Sequence, residues 1–202
     1  MAYYFQFQID KIEILPFGAY LTLKDFYFHP IEHEMCVVLA GPCCHLLLHI
    51  CILHLTKGVF QDYLLNTNLY IFLFNIMPVY PLDGSRFICL ILQSLIDLKK
   101  ALYFHLKISV FALIIFTIFY LKINTFVIIC YLYLQQGQYM KFIPHYLRLF
   151  YSQIPTFSQN RKILIHHHLE YRRGYLNYYE MNGNILGEDK IMFQLLESVK
   201  LK

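Results

Sequence analysis

The order of apolar and polar positions divides the chain into an alternating beginning, a long apolar middle and a charged end. Between residues 4 and 23 apolar and polar side chains alternate, and residues 15–19 interrupt the alternation, which predicts strand, turn and strand. Longer apolar stretches follow at residues 35–56, 63–82, 101–121 and 123–140. Each is about long enough to cross the hydrocarbon core of a bilayer, so the middle of the chain predicts four transmembrane helices.

The second apolar stretch is broken close to its end. Pro78 and Pro81 remove main-chain donors from any helix there, and Asp83 adds a charge. Residues 87–96 are apolar again. We therefore expect a bend after the second span, followed by a further apolar helix.

Composition narrows the class of protein. Of the 202 residues 58% are hydrophobic and only 15% are charged, whereas an ordinary soluble domain has about 25% charged residues. So little charge excludes a free-standing soluble enzyme and a nucleic-acid-binding protein, and makes the lipid bilayer the expected partner. The six cysteines lie in apolar stretches without neighbours that stabilise a thiolate, so we interpret them as packing residues.

Charge orients the chain. Residues 141–202 contain nine Lys or Arg residues and five Asp or Glu residues, which predicts a water-facing tail. Within it, residues 178–197 predict a small strand, turn and helix. Because Lys and Arg are enriched on the cytoplasmic side of membrane proteins, we place the tail in the cytoplasm.

The predicted fold class is therefore mainly α. We expect a polytopic, multi-pass membrane protein with about four transmembrane helices, preceded by a β-hairpin and followed by a small α+β cytoplasmic tail. The predicted domains are a cytoplasmic hairpin region at residues 1–35, a membrane domain at 36–140, and a linker with a small tail domain at 141–202.

The candidate chemistry lies at the broken helix, residues 75–84. A carboxylate such as that of Asp83 is costly inside a membrane, and this cost makes it a functional candidate. Ligation of a metal such as zinc would remove the cost of burial, because carboxylate oxygen is a zinc ligand. Alternatively, Asp83 only caps the following helix at an interface. Both interpretations stay open at this point.

This segment resembles the N-x-x-P-x-x-P-L-D-G signature of site-2 proteases, which are intramembrane zinc metalloproteases, and it is most similar to their sporulation branch. Two further segments agree in order and spacing with that branch, L-P-F-G at residues 15–18 and A-G-P at residues 40–42 followed by His45. The resemblance covers roughly residues 5–150. Three motifs in the same order are far more specific than any one of them.

The resemblance implies roles for five residues. Asp83 matches the aspartate that is the third zinc ligand of the family. Asn75 and His45 match positions that contact the substrate or the developing oxyanion, and Pro78 and Gly84 belong to the part of the signature that we assign to substrate binding. His45 and His49 are four residues apart and share one helix face, but no glutamate lies between them and they follow the hairpin, so a metal site of His45, His49 and Asp83 is the less favoured alternative to packing of His49.

The remaining zinc ligands are expected elsewhere. In the family an HExxH helix supplies two histidines and the general base, and this motif does not occur in the 202 residues. The resemblance implies that it lies just before the hairpin, so we expect it upstream of Met1 and expect the zinc site of this chain to be incomplete. The run of three histidines at 166–168 is interpreted as part of a solvated strand.

The resemblance implies hydrolysis of a peptide bond in a membrane-associated precursor, for example a pro-sigma factor, in a bacterial cell membrane. The strands at residues 4–23 are suited to binding an unwound substrate as an added strand. Two alternatives remain open. One is a non-catalytic or truncated paralogue that binds membrane segments without cleaving them. The other is an unrelated transporter, since transporters also contain broken helices in the membrane.

Overall fold

The computed structural model describes residues 1–7, 9–15, 18–23, 29–152, 162–181 and 183–200. These residues form six helices and five strands: β1 Ile9–Leu15, β2 Gly18–Leu23, α1 Ile31–Leu55, α2 Val59–Ile76, α3 Asp83–Leu95, α4 Leu98–Tyr120, α5 Ile123–Ser152, β3 Lys162–His166, β4 Tyr175–Met181, β5 Asn184–Gly187 and α6 Glu188–Lys200. The predicted, mainly helical fold class is confirmed. The chain divides into two compact units, Met1–Phe72 and Leu73–Lys202, and each is described by itself.

The first unit begins with the predicted hairpin. Strands β1 and β2 are antiparallel, with Leu15 opposite Gly18. Residues 16–17 of the L-P-F-G motif lie outside the described residues. The prediction that the first strand starts near residue 4 is wrong, because residues 2–6 form a turn whose last residue, Gln6, has φ 58°.

That turn is closed by local hydrogen bonds. The amide of Phe7 donates to the carbonyl of Ala2 at 3.1 Å, and the amide of Gln6 donates to that of Tyr3 at 3.2 Å. This is the pattern that ends a helical turn, and it uses the main-chain groups that a strand would need. The ring of Phe7 packs on His29, with 4.0 Å between ring centroids.

Among the described residues, two helices are long and apolar enough to cross a membrane by length and composition, α1 and α4. They correspond to the first and third predicted spans. The second and fourth predicted spans are not confirmed as membrane-crossing. Helix α2 carries Asp62 and Asn68 within 18 residues, and α5 carries Gln135 and Gln136, so both are more polar than α1 and α4.

The second unit contains the expected bend and the further apolar helix, α3. Helices α3, α4 and α5 pack one on the next, and the side chains of Val79, Leu113 and Leu132 form a fully buried core beside the bend. Helix α5 continues to Ser152, past the predicted end at residue 140, because Ile143 and Leu147 repeat at helical spacing and are buried.

The tail is a small α+β structure. Strands β3 and β4 are parallel, β4 and β5 are antiparallel, and β4 is central. Helix α6 packs on α5 and on strands β4 and β5. The predicted strand and helix within residues 178–197 are therefore confirmed as β4 and α6, whereas strand β5 at Asn184–Gly187 was not predicted. Asn182, between β4 and β5, lies outside the described residues.

Candidate functional site

The site with the motif residues is the junction between α2 and α3. Residues 77–82, here named the proline loop, separate the two helices, and the Tyr80–Pro81 peptide bond in it is cis. Within the loop the amide of Leu82 donates to the carbonyl of Val79 at 2.9 Å. The half-buried Asn75 lies at the end of α2, and half-buried Pro78 lies in the loop itself.

Two side chains from other helices hold the main chain of the proline loop. The amide of Tyr80 donates to Oγ of Ser109 on α4 at 2.7 Å, and its carbonyl accepts from Nε2 of Gln136 on α5 at 3.0 Å. The Ser109 hydroxyl in turn donates to Oε1 of Gln136 at 3.0 Å. Every group in this triangle has a partner of the correct kind, so both main-chain groups of Tyr80 are satisfied away from water.

Apolar contacts with the same two helices also hold the loop. Val79 is fully buried against Leu113 of α4 and Leu132 of α5. The ring of Tyr80 stacks on that of Tyr139, with 4.3 Å between centroids and 19° between planes. The loop is therefore fixed by side chains as well as by its main chain.

Asp83 is the first residue of α3 and is half-buried. A carboxylate at this position is stabilised by the unpaired amides and the dipole of the helix N-terminus. The next residue, Gly84, lies directly against the last turn of α2, because a β-carbon built on it would overlap the carbonyl group of Ile76. Only glycine permits this approach of two backbones. The packing of Gly84 is thus explained, and its assignment to substrate binding stays a prediction.

His45 lies in the first unit, on α1, whereas Asn75, Pro78, Asp83 and Gly84 lie in the second. The half-buried His45 contacts Asn68 of α2 through two hydrogen bonds. Its Nδ1 is 2.8 Å from Oδ1 of Asn68, and its carbonyl accepts from Nδ2 of Asn68 at 3.0 Å. Asn68 is only 6% exposed. Sequence reasoning did not single out Asn68.

A row of buried polar side chains runs along one face of α3. On α3, Ser85, Cys89 and Gln93 repeat every four residues and are buried, so they share one face. Ser85 Oγ and His105 Nε2 are 2.7 Å apart, and Gln93 donates to Cys89 Sγ at 3.1 Å. Sequence reasoning missed this row as well, although its four-residue spacing in apolar helices was a usable signal.

The row ends at a third set of contacts, here named the tail junction, between residues 93–100 and residues 170–173. Arg173 donates to Oε1 of Gln93 at 2.5 Å, and Arg172 donates twice to the carbonyl of Ser94 at 2.7 and 3.0 Å. Asp97, the N-cap of α4, accepts from the amides of Lys100 at 3.0 Å and Tyr171 at 2.6 Å.

At the tail junction, the pKa values of two carboxyl groups are shifted in opposite directions. Burial raises the pKa of the Asp97 carboxyl, and the two amides that donate to it offset part of that rise. Glu170 forms an ion pair with Lys100, and this hydrogen bond holds the pKa of the Glu170 carboxyl below its usual value.

Metal-binding side chains are not clustered in the part of the chain that the structure describes. No group of three or more His, Cys, Asp or Glu side chains there is arranged to hold a metal ion. Of the three adjacent histidines, His166 ends β3 and bonds to Asn177 at 2.7 Å, while His167 lies 3.3 Å from Glu180. The first of them thus belongs to a strand, as predicted.

The described residues form a mainly helical protein in which neutral polar side chains hold a proline-broken helix junction. No protein-family model matches the chain. The chain is similar to the stage IV sporulation protein FB of Bacillus subtilis (strain 168), with 29% identity over 118 residues. The match covers 54% of this chain and 40% of that protein, so it spans less than half of the relative's length. This likeness supports a relationship to a site-2 protease-like sporulation protein, the same branch that the three motifs resemble.

Proposed function

We propose that this chain is a site-2 protease-like membrane protein of bacterial sporulation that binds a membrane-associated protein segment at the α2–α3 junction. Within the second unit, Asp83 is its contribution to a zinc site, Asn75 contacts the bound segment, and Pro78 and Gly84 shape the surface that receives it. His45, in the first unit, is proposed from the resemblance alone as a further contact with the substrate. Peptide hydrolysis requires a partner segment that carries HExxH, because that motif is not in this sequence.

The observation that carries the proposal is the way the proline loop is held. A helix break leaves main-chain amides and carbonyls without helical partners, which is tolerated at membrane depth only where protein or a water-filled cavity satisfies them. Ser109 and Gln136 satisfy the groups of Tyr80, and Ser109 lies at the middle of α4, which has the length and composition of a span. A helix break whose main-chain groups are satisfied in this way, and which is followed directly by an acidic residue, favours a binding site over a simple packing defect.

The residues described do not fit a complete zinc site. Asp83 offers one carboxylate, while structural and catalytic zinc sites take at least three protein ligands, and no such group is present among the described residues. We therefore derive no catalytic step through zinc for this chain alone. We expect the purified chain to retain little zinc after dialysis, with Asp83→Asn retaining the same amount. Stoichiometric zinc that is lost in Asp83→Asn would contradict the incomplete site.

The binding step is tested by photocrosslinking in lipid nanodiscs. A benzophenone amino acid replaces Asn75, and the probe is a synthetic single-span peptide with a central Gly-Pro that unwinds one turn, compared with an uninterrupted span of the same length. We expect capture of the unwound peptide in preference to the uninterrupted one. The control replaces the lipid-exposed Phe111 of α4, which is 65% exposed, and it should not distinguish the peptides. Equal capture of both peptides from position 75 would contradict the proposal.

The alternative function is binding without cleavage. The two are separated by adding a membrane helix that carries HExxH to the same nanodiscs. Zinc-dependent cleavage of the captured peptide that is lost in Asp83→Asn supports the protease, whereas capture without cleavage supports the non-catalytic paralogue.

A further inference from the structure

The contact between His45 and Asn68 fixes the position of a proton. Nδ2 of Asn68 lies 3.0 Å from the carbonyl oxygen of His45, and a carbonyl oxygen only accepts, so this end of the Asn68 amide must be its NH2 group. The other end, Oδ1, therefore faces Nδ1 of His45 at 2.8 Å. Because an amide oxygen also only accepts, Nδ1 must carry the hydrogen.

The reverse orientation of the amide is excluded by the same chemistry. An unprotonated Nδ1 could accept from the NH2 group in that orientation, but the amide oxygen would then lie 3.0 Å from the carbonyl oxygen of His45, and two acceptors cannot form a hydrogen bond. Neutral imidazole has one protonated nitrogen, so in His45 the lone pair lies on Nε2. Histidine in water prefers the opposite tautomer, and Asn68 therefore selects the less common form.

We propose that Asn68 is a positioning residue that holds His45 in the Nδ1–H tautomer, so that His45 Nε2 accepts a hydrogen bond from a main-chain N–H of the bound peptide segment. The identity of this ligand rests on the proposed function. In this form His45 cannot donate from Nε2 to an oxyanion. By resemblance, both His45 and Asn75 contact the substrate or the developing oxyanion. The role of hydrogen-bond donor to the oxyanion then belongs to Asn75, whose amide carries N–H groups.

The chemistry of the ligand fits this acceptor. An unwound peptide segment exposes main-chain N–H groups, and each one is costly in an apolar environment until an acceptor pairs with it. His45 is half-buried, while Asn68 behind it is buried, so the supporting residue is shielded and the ring stays within reach of a ligand. The edge of Phe72, with 6.4 Å between ring centroids, adds an apolar wall on one side of the imidazole.

The tautomer is measured directly by nitrogen-15 NMR on histidine-labelled protein in nanodiscs, with the His45 signals assigned by their loss in His45→Gln. We expect Nδ1 of His45 to show the shift of a protonated nitrogen and Nε2 that of an unprotonated one. In Asn68→Leu, which is similar in size, the pattern should move towards Nε2–H. Thr67→Val is the matched control, because Thr67 Oγ1 donates within its own helix to the carbonyl of Tyr63, and it should leave the His45 pattern unchanged.

Binding of the unwound single-span peptide is the second measurement. Loss of one well-placed hydrogen bond predicts about five- to tenfold weaker binding in Asn68→Leu and no change in Thr67→Val. If the wild-type chain binds the peptide but His45 carries its proton on Nε2, the inference is wrong and the proposed function stands. If His45 shows the Nδ1–H tautomer but the wild-type chain does not bind the peptide, the proposed function fails and the assigned tautomer stands.

Discussion

At two breaks between helices in the second unit, main-chain groups without helical partners pair with different kinds of side chain. At the α2–α3 junction, the main-chain groups of Tyr80 pair with the neutral side chains of Ser109 and Gln136. At the tail junction, the amide of Tyr171 and the carbonyl of Ser94 pair with the charged side chains of Asp97 and Arg172.

The difference follows from where each break lies along α4. Ser109 is at the middle of this membrane-length helix, where a charge would be costly, and Asp97 caps its first turn. Charged hydrogen bonds are stronger than neutral ones but respond to pH and salt. The stability of the proline loop should therefore be independent of pH but should fall when any hydrogen-bond partner is lost. The stability of the tail junction should change with pH and salt.

The largest effect is expected from Gly84→Ala. The added β-carbon overlaps the carbonyl group of Ile76, and relieving this overlap by moving backbones costs about 3 kcal/mol, at the upper end for overpacking. The control is Gly137→Ala in α5, where nothing lies near the added carbon, and alanine should stabilise this helix by about 0.5–1 kcal/mol. Unfolding of each variant in detergent, followed by circular dichroism, gives both values. Similar stabilities for the two variants would show that the helices can separate freely at Gly84.

The second effect is expected from Gln136→Leu. This change leaves the Tyr80 carbonyl and the Ser109 hydroxyl without their partner, at a cost of about 2–3 kcal/mol, and the loss should be nearly the same at acid and neutral pH. Gln138→Leu, on the exposed face of the same helix, is the matched control and should cost much less. The same unfolding measurement gives the cost of each change. An equal cost at the two positions would mean that the triangle adds nothing to the loop.

A smaller effect is expected from Asp97→Ala at the tail junction. The helix loses its N-cap and the amide of Tyr171 loses its acceptor, which predicts a cost of about 1–2 kcal/mol. Burial raises the pKa of Asp97, so the folded state favours the protonated carboxyl. The contribution of this group to the free energy of unfolding is therefore present in acid and is lost as pH rises through the raised pKa. The cost of Asp97→Ala should accordingly be larger in acid than at neutral pH, whereas that of Gln136→Leu should be nearly the same at both.

The smallest effect is expected from Glu170→Gln. The pKa of Glu170 is below its usual value of 4.5 because of Lys100, so its contribution is present above pH 4.5 and is lost as pH falls through the lowered pKa. The difference in thermal midpoint between wild type and Glu170→Gln should be small near neutral pH, shrink with added salt and vanish in acid. A difference that persists in acid would assign the role of Glu170 to something other than the ion pair.

The sequence determined much of the architecture. The apolar stretches predicted α1 and α4, the two prolines predicted the break before α3, and the alternation predicted the hairpin, because each of these depends on residues that are neighbours in the chain. The start of β1 was misplaced for a local reason too, since residues 2–6 close a turn that strand periodicity does not reveal. The motif residues at the α2–α3 junction were also found from local order alone.

Only the tertiary structure decided which side chains support those residues. Ser109 and Gln136 are far along the chain from Tyr80, and Asn68 is on a different helix from His45. In the sequence nothing distinguishes Gln136 from its neighbour Gln135, or Asn68 from Asn66. Which main-chain group each of these side chains satisfies, and therefore which proton it fixes, depends on how the helices pack, because a hydrogen bond is set by the distance and direction between two atoms. Packing also explained Gly84, whose lack of a side chain matters only because another backbone lies against it.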